Sequence, residues 1–345
     1  SKTKGNVIDP LVVTEKYGTD AVRMALLQGA APGTDIVLTE ERMESSRAFA
    51  NKIWNAARFL NVGQASGLST AETERGIEDR WIVSRLNAAA EVANRAIEQY
   101  RYHELAQGLW RFFWHEFCDW YIELAKIPLR DEARAPATRW VLAYVLENTM
   151  RLLHPFVPFV TETITQQLYG GDHLMATTAY PEADGMTTYD KNATQADFLI
   201  GFIKAVRNLK AVFHLPPTEK QSVVAVGAES DIAAIMANAE AVKFVGRFAD
   251  IGTELDSTQR YIKGAYGTMQ VMILAKSDFD YEGELKVLAG KLELLHADTT
   301  KLEARLGNQD FLARAPAEVV DKDTQKLEDL KAEEQLIATF LQGQG

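Results

Sequence analysis

The residues best equipped for chemistry stand at the front of the chain, where Ser1, Lys2, Thr3 and Lys4 alternate hydroxyl and ammonium groups before Gly5 and Asn6. Such a loop suits phosphate, because the lysines are point charges and Gly5 lets the backbone approach closely. Phosphoryl and adenylyl transfers are driven by positioned positive charge on developing negative oxygens, which makes these lysines the candidates for direct chemistry. The competing reading is a solvated Lys/Ser loop ahead of a helix. A second set, Asn51, Lys52, Trp54, Asn55, Arg58 and Phe59, mixes amide, cationic and aromatic groups that could stack on and hydrogen-bond splayed RNA bases. Its competing reading places Trp54 and Phe59 in the core and leaves Asn51, Asn55 and Arg58 merely solvated. A third set lies near the C-terminus, where Lys301, Arg305 and Arg314 are scattered among acids and Phe311 and Leu312 are apolar at a turn. His103, His115 and Cys118 are lone residues on an apolar helix, a structural pattern, so no metal site is expected.

The elements that must position these residues are mostly helical. Asp9 and Pro10 supply an N-cap and a first-position proline for a short helix ended by Gly18, and a second runs from Thr19 to Gly29. After a turn and, at most, a short strand over Asp35–Leu38, Thr39 can cap a long helix whose first turn holds Glu40 and Glu41. Phe49, Ile53, Trp54, Ala57 and Leu60 share one side of it. A Gly/Ser/Thr-rich loop over 63–73 follows, then helices over about 78–100 and 102–125, and a fourth from Pro136 that Pro155 and Pro158 should bend or break. The aromatic run from Trp110 to Tyr121 along the third is read as mostly core. Four long amphipathic segments with short connections predict an antiparallel bundle over 39–170, after a small unit over 1–38 that must pack on its neighbours.

Residues 171–280 read as a small α/β module. A polar stretch runs to Ala193 and a helix covers Gln195–Phe213. Strands are expected at Ser222–Val226, Gln259–Tyr266 and Met269–Leu274, with a helical stretch over Asp231–Phe248. Leu285, Leu288, Leu292, Leu295, Thr299, Leu302 and Leu306 then fall on alternating three- and four-residue steps. Val320, Asp323, Leu327, Leu330, Glu334, Ile337 and Leu341 repeat the pattern beyond a break at Gly307-Asn308. Residues 281–345 therefore predict an antiparallel coiled-coil hairpin, each arm roughly 35 Å long at 1.5 Å per residue. The fold class expected is mainly α: helical bundle, small α/β module, C-terminal coiled coil.

Composition sets outer limits. The 345 residues are 47% apolar and 25% charged, with no apolar run near the roughly 20 residues needed to cross a bilayer and no signal-peptide pattern. The single cysteine excludes a disulfide framework and a Cys-rich zinc site, and a cytoplasmic monomer without a membrane partner is expected. A net charge of −11 argues mildly against a nucleic-acid partner, but a protein gripping folded RNA at several small patches can be acidic overall.

SKTKGNVIDP resembles the nucleotide-binding signature loop of class I aminoacyl-tRNA synthetases, Lys-Met-Ser-Lys-Ser followed by Lys-Gly-Asn. The leading Lys-Met has no counterpart here, and Thr3 stands at the last Ser. NKIWNAARF, DRWIVSRLN, FFWHEFCDWYIELAK and LLHPFVPFVTE resemble the anticodon-binding bundle of the valyl/isoleucyl/leucyl group. LEARLGNQDFLARAPAEVV and the heptads after it are similar to the C-terminal coiled coil of the valyl-tRNA synthetases, whereas isoleucyl enzymes often end in a zinc module that one cysteine cannot build.

The resemblance implies that Lys2 supports the ATP phosphates, and that Ser1, Thr3, Lys4, Gly5 and Asn6 lie near the nucleotide, with Mg2+ as the companion ion. It implies a bundle that binds the anticodon stem-loop of valine tRNA through residues such as Asn51, Asn55 and Arg58. Residues 1–38 would be a signature loop and stem-contact fold. The arm would reach the tRNA elbow through Lys301, Arg305, Phe311 and Arg314. The resemblance also implies that the family's Rossmann core, His-Ile-Gly-His motif and editing domain would precede Ser1, and the missing initiator methionine agrees with a piece of something longer. Valine and ATP would then be handled with that core, and the chain alone would be inactive. The rival reading is a non-catalytic RNA-binding or scaffolding helical protein, or part of an isoleucyl/leucyl-type synthetase.

Overall fold

Asp9 opens the first helix as its type predicts. Its carboxylate accepts from the Leu11 amide at 2.9 Å, and Pro10 takes the first position of α1, Pro10–Tyr17. The computed structural model describes residues 9–29, 38–60, 68–170, 173–183, 189–276, 279–308, 311 and 317–342. The signature loop 1–6, most of the expected strand at 35–38, and Leu312 and Arg314 lie outside them. The chain divides into two units that meet at Asp197 and Phe198.

In the first unit Gly18, at φ +92°, separates α1 from α2, Thr19–Gly29. Val13, Tyr17, Ala21, Val22 and Ala25 pack with Met43 of α3, Glu40–Leu60, whose first turn is capped by Thr39. The small N-terminal piece thus completes its core on a neighbour, as its size requires. The bundle continues through α4 (Ile77–Glu98), α5 (Tyr102–Arg111), a π-helical segment (Phe112–Tyr121) and α6 (Ile122–Ala125). It closes with α7 (Ala135–Leu153) and α8 (Pro158–Tyr169), and the break between them falls at the two prolines as expected.

The π-helical segment corrects the continuous α-helix read over 102–125. Phe112, Phe113, Phe117, Cys118, Trp120 and Tyr121 are all buried. At 3.6 residues per turn these six spread over about 240° of the helix cylinder, and at a π pitch of about 4.4 they occupy about 200°. The wider turn gathers the rings onto a face the bundle can cover. At its end the Tyr121 hydroxyl donates to Asp79 at 2.6 Å, and Thr138 and the Gly76 amide donate to the same carboxylate at 3.0 and 3.2 Å. Burial pushes the Asp79 and Glu78 carboxyls up, with Asp79 adding to the shift at Glu78, which is paired with Arg134. The stability contributed by these two groups is therefore fully present below the ordinary carboxylate range and is lost as pH rises through their raised values.

α9, Asp190–Val212, begins five residues earlier than the sequence predicts. Its first turns belong to the first unit, where Asp197 accepts from the Trp81 indole at 2.9 Å and pairs with Arg85. In the second unit the sheet runs β2-β1-β4-β3, with β1 at Gln221–Val226, β2 at Phe248–Gly252, β3 at Tyr261–Tyr266 and β4 at Met269–Leu274. β1 is parallel to β2 and antiparallel to β4, which pairs antiparallel with β3. β2 corrects the helix read through Phe248. α10 (Glu229–Ala237) and α11 (Ala239–Gly246) stop at Arg247, a left-handed residue at φ +55°, and the chain turns into a strand. Lys210, only 3% exposed, holds that turn by donating to the Glu219 carbonyl at 2.9 Å and the Arg247 carbonyl at 3.4 Å.

α12 (Tyr281–Leu306) and α13 (Ala317–Gln342) form the hairpin. Leu288, Leu295, Thr299 and Ile337 are its buried seam, at the heptad positions read from the sequence. The hydrogen bond His296–Glu334 and the ion pairs Glu303–Lys331 and Arg305–Asp323 show the antiparallel pairing, since one number rises as the other falls.

Candidate RNA-binding surfaces

Helical spacing decides what α3 presents. Arg47, Asn51, Asn55, Arg58 and Phe59 are exposed, while Phe49, Ile53, Ala56 and Ala57 are buried. The steps of four, four and three residues put the first four on one stripe, with Phe59 at its end. The structure brings Asn51, Asn55 and Arg58 together as the sequence suggests and adds Arg47, which the sequence reading passed over. No hydrogen bond or ion pair from Arg47 or Arg58 is recorded among the described residues.

Phe59 overturns its core reading. Its ring is 56% exposed, with the Lys126 ammonium 5.8 Å from the ring centroid. A phenylalanine ring left in water beside a cation is not part of the core, and its free face is available for stacking. Trp54, also read as core, is only half-buried. Lys52 is committed locally: it pairs with Asp119 at 3.3 Å and lies over the Trp114 ring at 5.0 Å, and Asp119 also meets His115 at 3.2 Å.

Behind the stripe, α2 clamps the break between α7 and α8. Both oxygens of buried Asp20 accept amides of the first turn of α8, Phe159 at 3.2 Å and Val160 at 2.7 Å. One turn later Arg23 donates to the carbonyls of Pro155 at 2.8 Å and Phe156 at 3.2 Å. An anion at a helix start and a cation at a helix end each complement the helix dipole. Burial pushes the Asp20 carboxyl up, against the pull of the two amides.

Among the described residues no group of three or more His, Cys, Asp or Glu could hold a metal ion. Burial pushes the Cys118 thiol up to about 12, so it stays protonated and apolar.

In the arm, Lys301, Arg305 and Lys326 line a shallow cleft of about 230 Å³ with Asp298, Leu302 and Leu330. Lys301 is extended into solvent, with Asp298 at 3.5 Å. Arg305 is held, pairing with Asp323 at 3.3 Å and lying over the Phe311 ring at 4.5 Å. Phe311 thus packs back on the hairpin rather than standing free. No described helix is long and apolar enough to cross a membrane.

Two family models match: the anticodon-binding domain of tRNA ligase over residues 79–225, and the valyl tRNA synthetase tRNA binding arm over residues 280–343. The valine–tRNA ligase of Solibacter usitatus is 47% identical over 338 residues, which are 96% of this chain and 38% of that protein. That of Geobacter sulfurreducens is 37% identical, over 99% of this chain and 40% of its own length. That of Bacillus subtilis is 34% identical, over 96% and 39%. The chain thus spans about two-fifths of the relatives it matches. Among solved structures, a LeuRS–tRNA–LeuAMS ternary complex of Agrobacterium radiobacter K84 aligns at a TM-score of 0.43 and 19% identity, over 70% of this chain and 28% of that one. That likeness is too low to bear on function.

Proposed function

The chain belongs to the valine–tRNA ligase family, and from that premise we propose that it is the part that grips valine tRNA for ATP-dependent attachment of valine. The exposed stripe on α3 carries the reading. Amides at Asn51 and Asn55 can meet base edges, Arg47 and Arg58 the phosphate backbone, and Phe59 the face of an unstacked base. The anticodon stem-loop is one part of the tRNA that offers unpaired bases. The hairpin is the second grip, directed to the tRNA elbow, with Lys301 extended into solvent and Arg305 set by Asp323 and Phe311. Arg314 is assigned to the same grip from the sequence.

The proposed division of labour follows the sequence segments: 1–38 signature loop and stem contact, 39–170 anticodon bundle, 171–280 α/β module, 281–345 tRNA-binding arm. Ser1, Lys2, Thr3, Lys4, Gly5 and Asn6 would meet ATP, with Lys2 steadying its phosphates. They lie outside the described residues. When bound, ATP with Mg2+ would supply the adenylyl group that activates the valine carboxylate, with pyrophosphate leaving. A cytoplasmic monomer fits this role.

The test is binding of the 345-residue chain to an anticodon stem-loop of valine tRNA. Phe59→Ala is expected to weaken binding by about 1–3 kcal/mol, the worth of one base–aromatic stack. Phe59→Trp should retain it. Arg58→Gln should lower the slope of log K against log salt by about 1. Unchanged affinity in Phe59→Ala and an unchanged slope in Arg58→Gln would remove α3 from the interface.

A further inference from the structure

A cleft of about 470 Å³ opens where the α1–α2 turn, α3 and the start of α8 meet, lined among others by Asp20, Arg47, Asn51, Trp54 and Phe159. Except for the α8 residues its walls precede residue 79, where the matched anticodon-binding domain begins. We propose that this cleft captures a single extruded nucleotide of the bound tRNA, separate from the base stacked on Phe59. The proposal rests on the RNA-binding reading above and adds a site to it.

The chemistry of the walls selects the ligand. Phe159 is 60% exposed while its backbone amide is fixed by buried Asp20, so an anchored residue offers its ring to solvent. Trp54 adds a half-buried indole to the same cleft. Two aromatic side chains suit the flat faces of a base, and the Asn51 amide can donate and accept at a base edge. Arg47 supplies the charge for the phosphate. The start of α8 does not attract that phosphate, because Asp20 already occupies two of its amides. The volume is of the size of small-molecule sites, and the mix of apolar walls with few polar groups is what such sites use. Asn51 and Phe59 are eight residues apart on one helix, about 12 Å at 1.5 Å per residue, so the two positions take different nucleotides of one strand.

The experiment measures binding of full valine tRNA to the 345-residue chain across a salt series. Phe159→Ala is expected to weaken binding about 5- to 150-fold, and Phe159→Tyr to keep it. Arg47→Gln should weaken binding and lower the salt slope by about 1. Both side chains are exposed, so unchanged thermal unfolding of each variant separates lost contacts from lost fold. If Phe159→Ala binds as the wild type does while Phe59→Ala does not, the cleft holds no nucleotide and the α3 reading survives. If the wild type fails to bind valine tRNA, the RNA-binding reading falls and takes the cleft with it.

Discussion

Deleting the chain from Glu282 onward is expected to lower its affinity for valine tRNA by at least about 100-fold, while affinity for the isolated anticodon stem-loop stays unchanged. Two modest grips on one molecule gain about 10²–10⁴ over either alone, because the second contact is made at high effective concentration. The arm itself is a weak binder by charge: acids outnumber bases after Tyr281, and Lys291, Arg305 and Lys331 are each paired across the hairpin. Its value lies in the linkage. The cut spares Tyr281, whose ring stacks on Phe213 at 6.1 Å and 8°, so the second unit keeps that packing. Gel shift or fluorescence titration with both RNAs reads the result. An equal loss on the stem-loop would point to a damaged bundle, and no loss on full tRNA would make the hairpin a structural device.

Phe113→Ala is expected to cost about 3–5 kcal/mol of unfolding free energy, the usual range for emptying a buried phenylalanine site. The Phe113 ring is fully buried and meets Phe49 edge-on at 5.8 Å and Phe117 at 5.6 Å. Phe49 sits on the inner face of α3, so the cavity undermines the helix that carries Arg47 to Phe59. Stabilities of domains are about 5–15 kcal/mol, and the loss takes a large share. Urea unfolding followed by tryptophan fluorescence measures it. A cost below about 1 kcal/mol would mean that the π-helical segment is not packed as described.

What the sequence revealed, and what it hid, follows from how local each signal is. The hairpin was legible because its leucines repeat on a seam that neighbours in space only through one partner helix. The caps at Asp9 and Thr39 and the break at Pro155 and Pro158 were legible because each acts within a turn of itself. β2 was hidden: Phe248–Gly252 follows an alanine-rich helix, holds Asp and Gly, and becomes a strand only because β1 lies beside it. The π pitch of 112–121 was hidden too, since it answers to five rings and the Cys118 thiol seeking one covered face. At the candidate site the sequence singled out Asn51, Asn55 and Arg58, and the structure places them exposed on one stripe. The sequence misjudged Phe59, because a helical spacing does not say on which side a neighbouring helix lies. Phe311 was read as apolar at a turn, and the cation of Arg305 over its ring shows that it packs back on the hairpin.

The central claim is that this chain recognises valine tRNA through its anticodon. The most direct measurement is the affinity of the 345-residue chain for valine tRNA beside the same tRNA with its anticodon exchanged, at matched salt. Tighter binding of the valine anticodon by at least about tenfold, or about 1.4 kcal/mol, is the expected result. Equal affinity for the two RNAs would show that the bundle grips only the backbone, and would contradict the account.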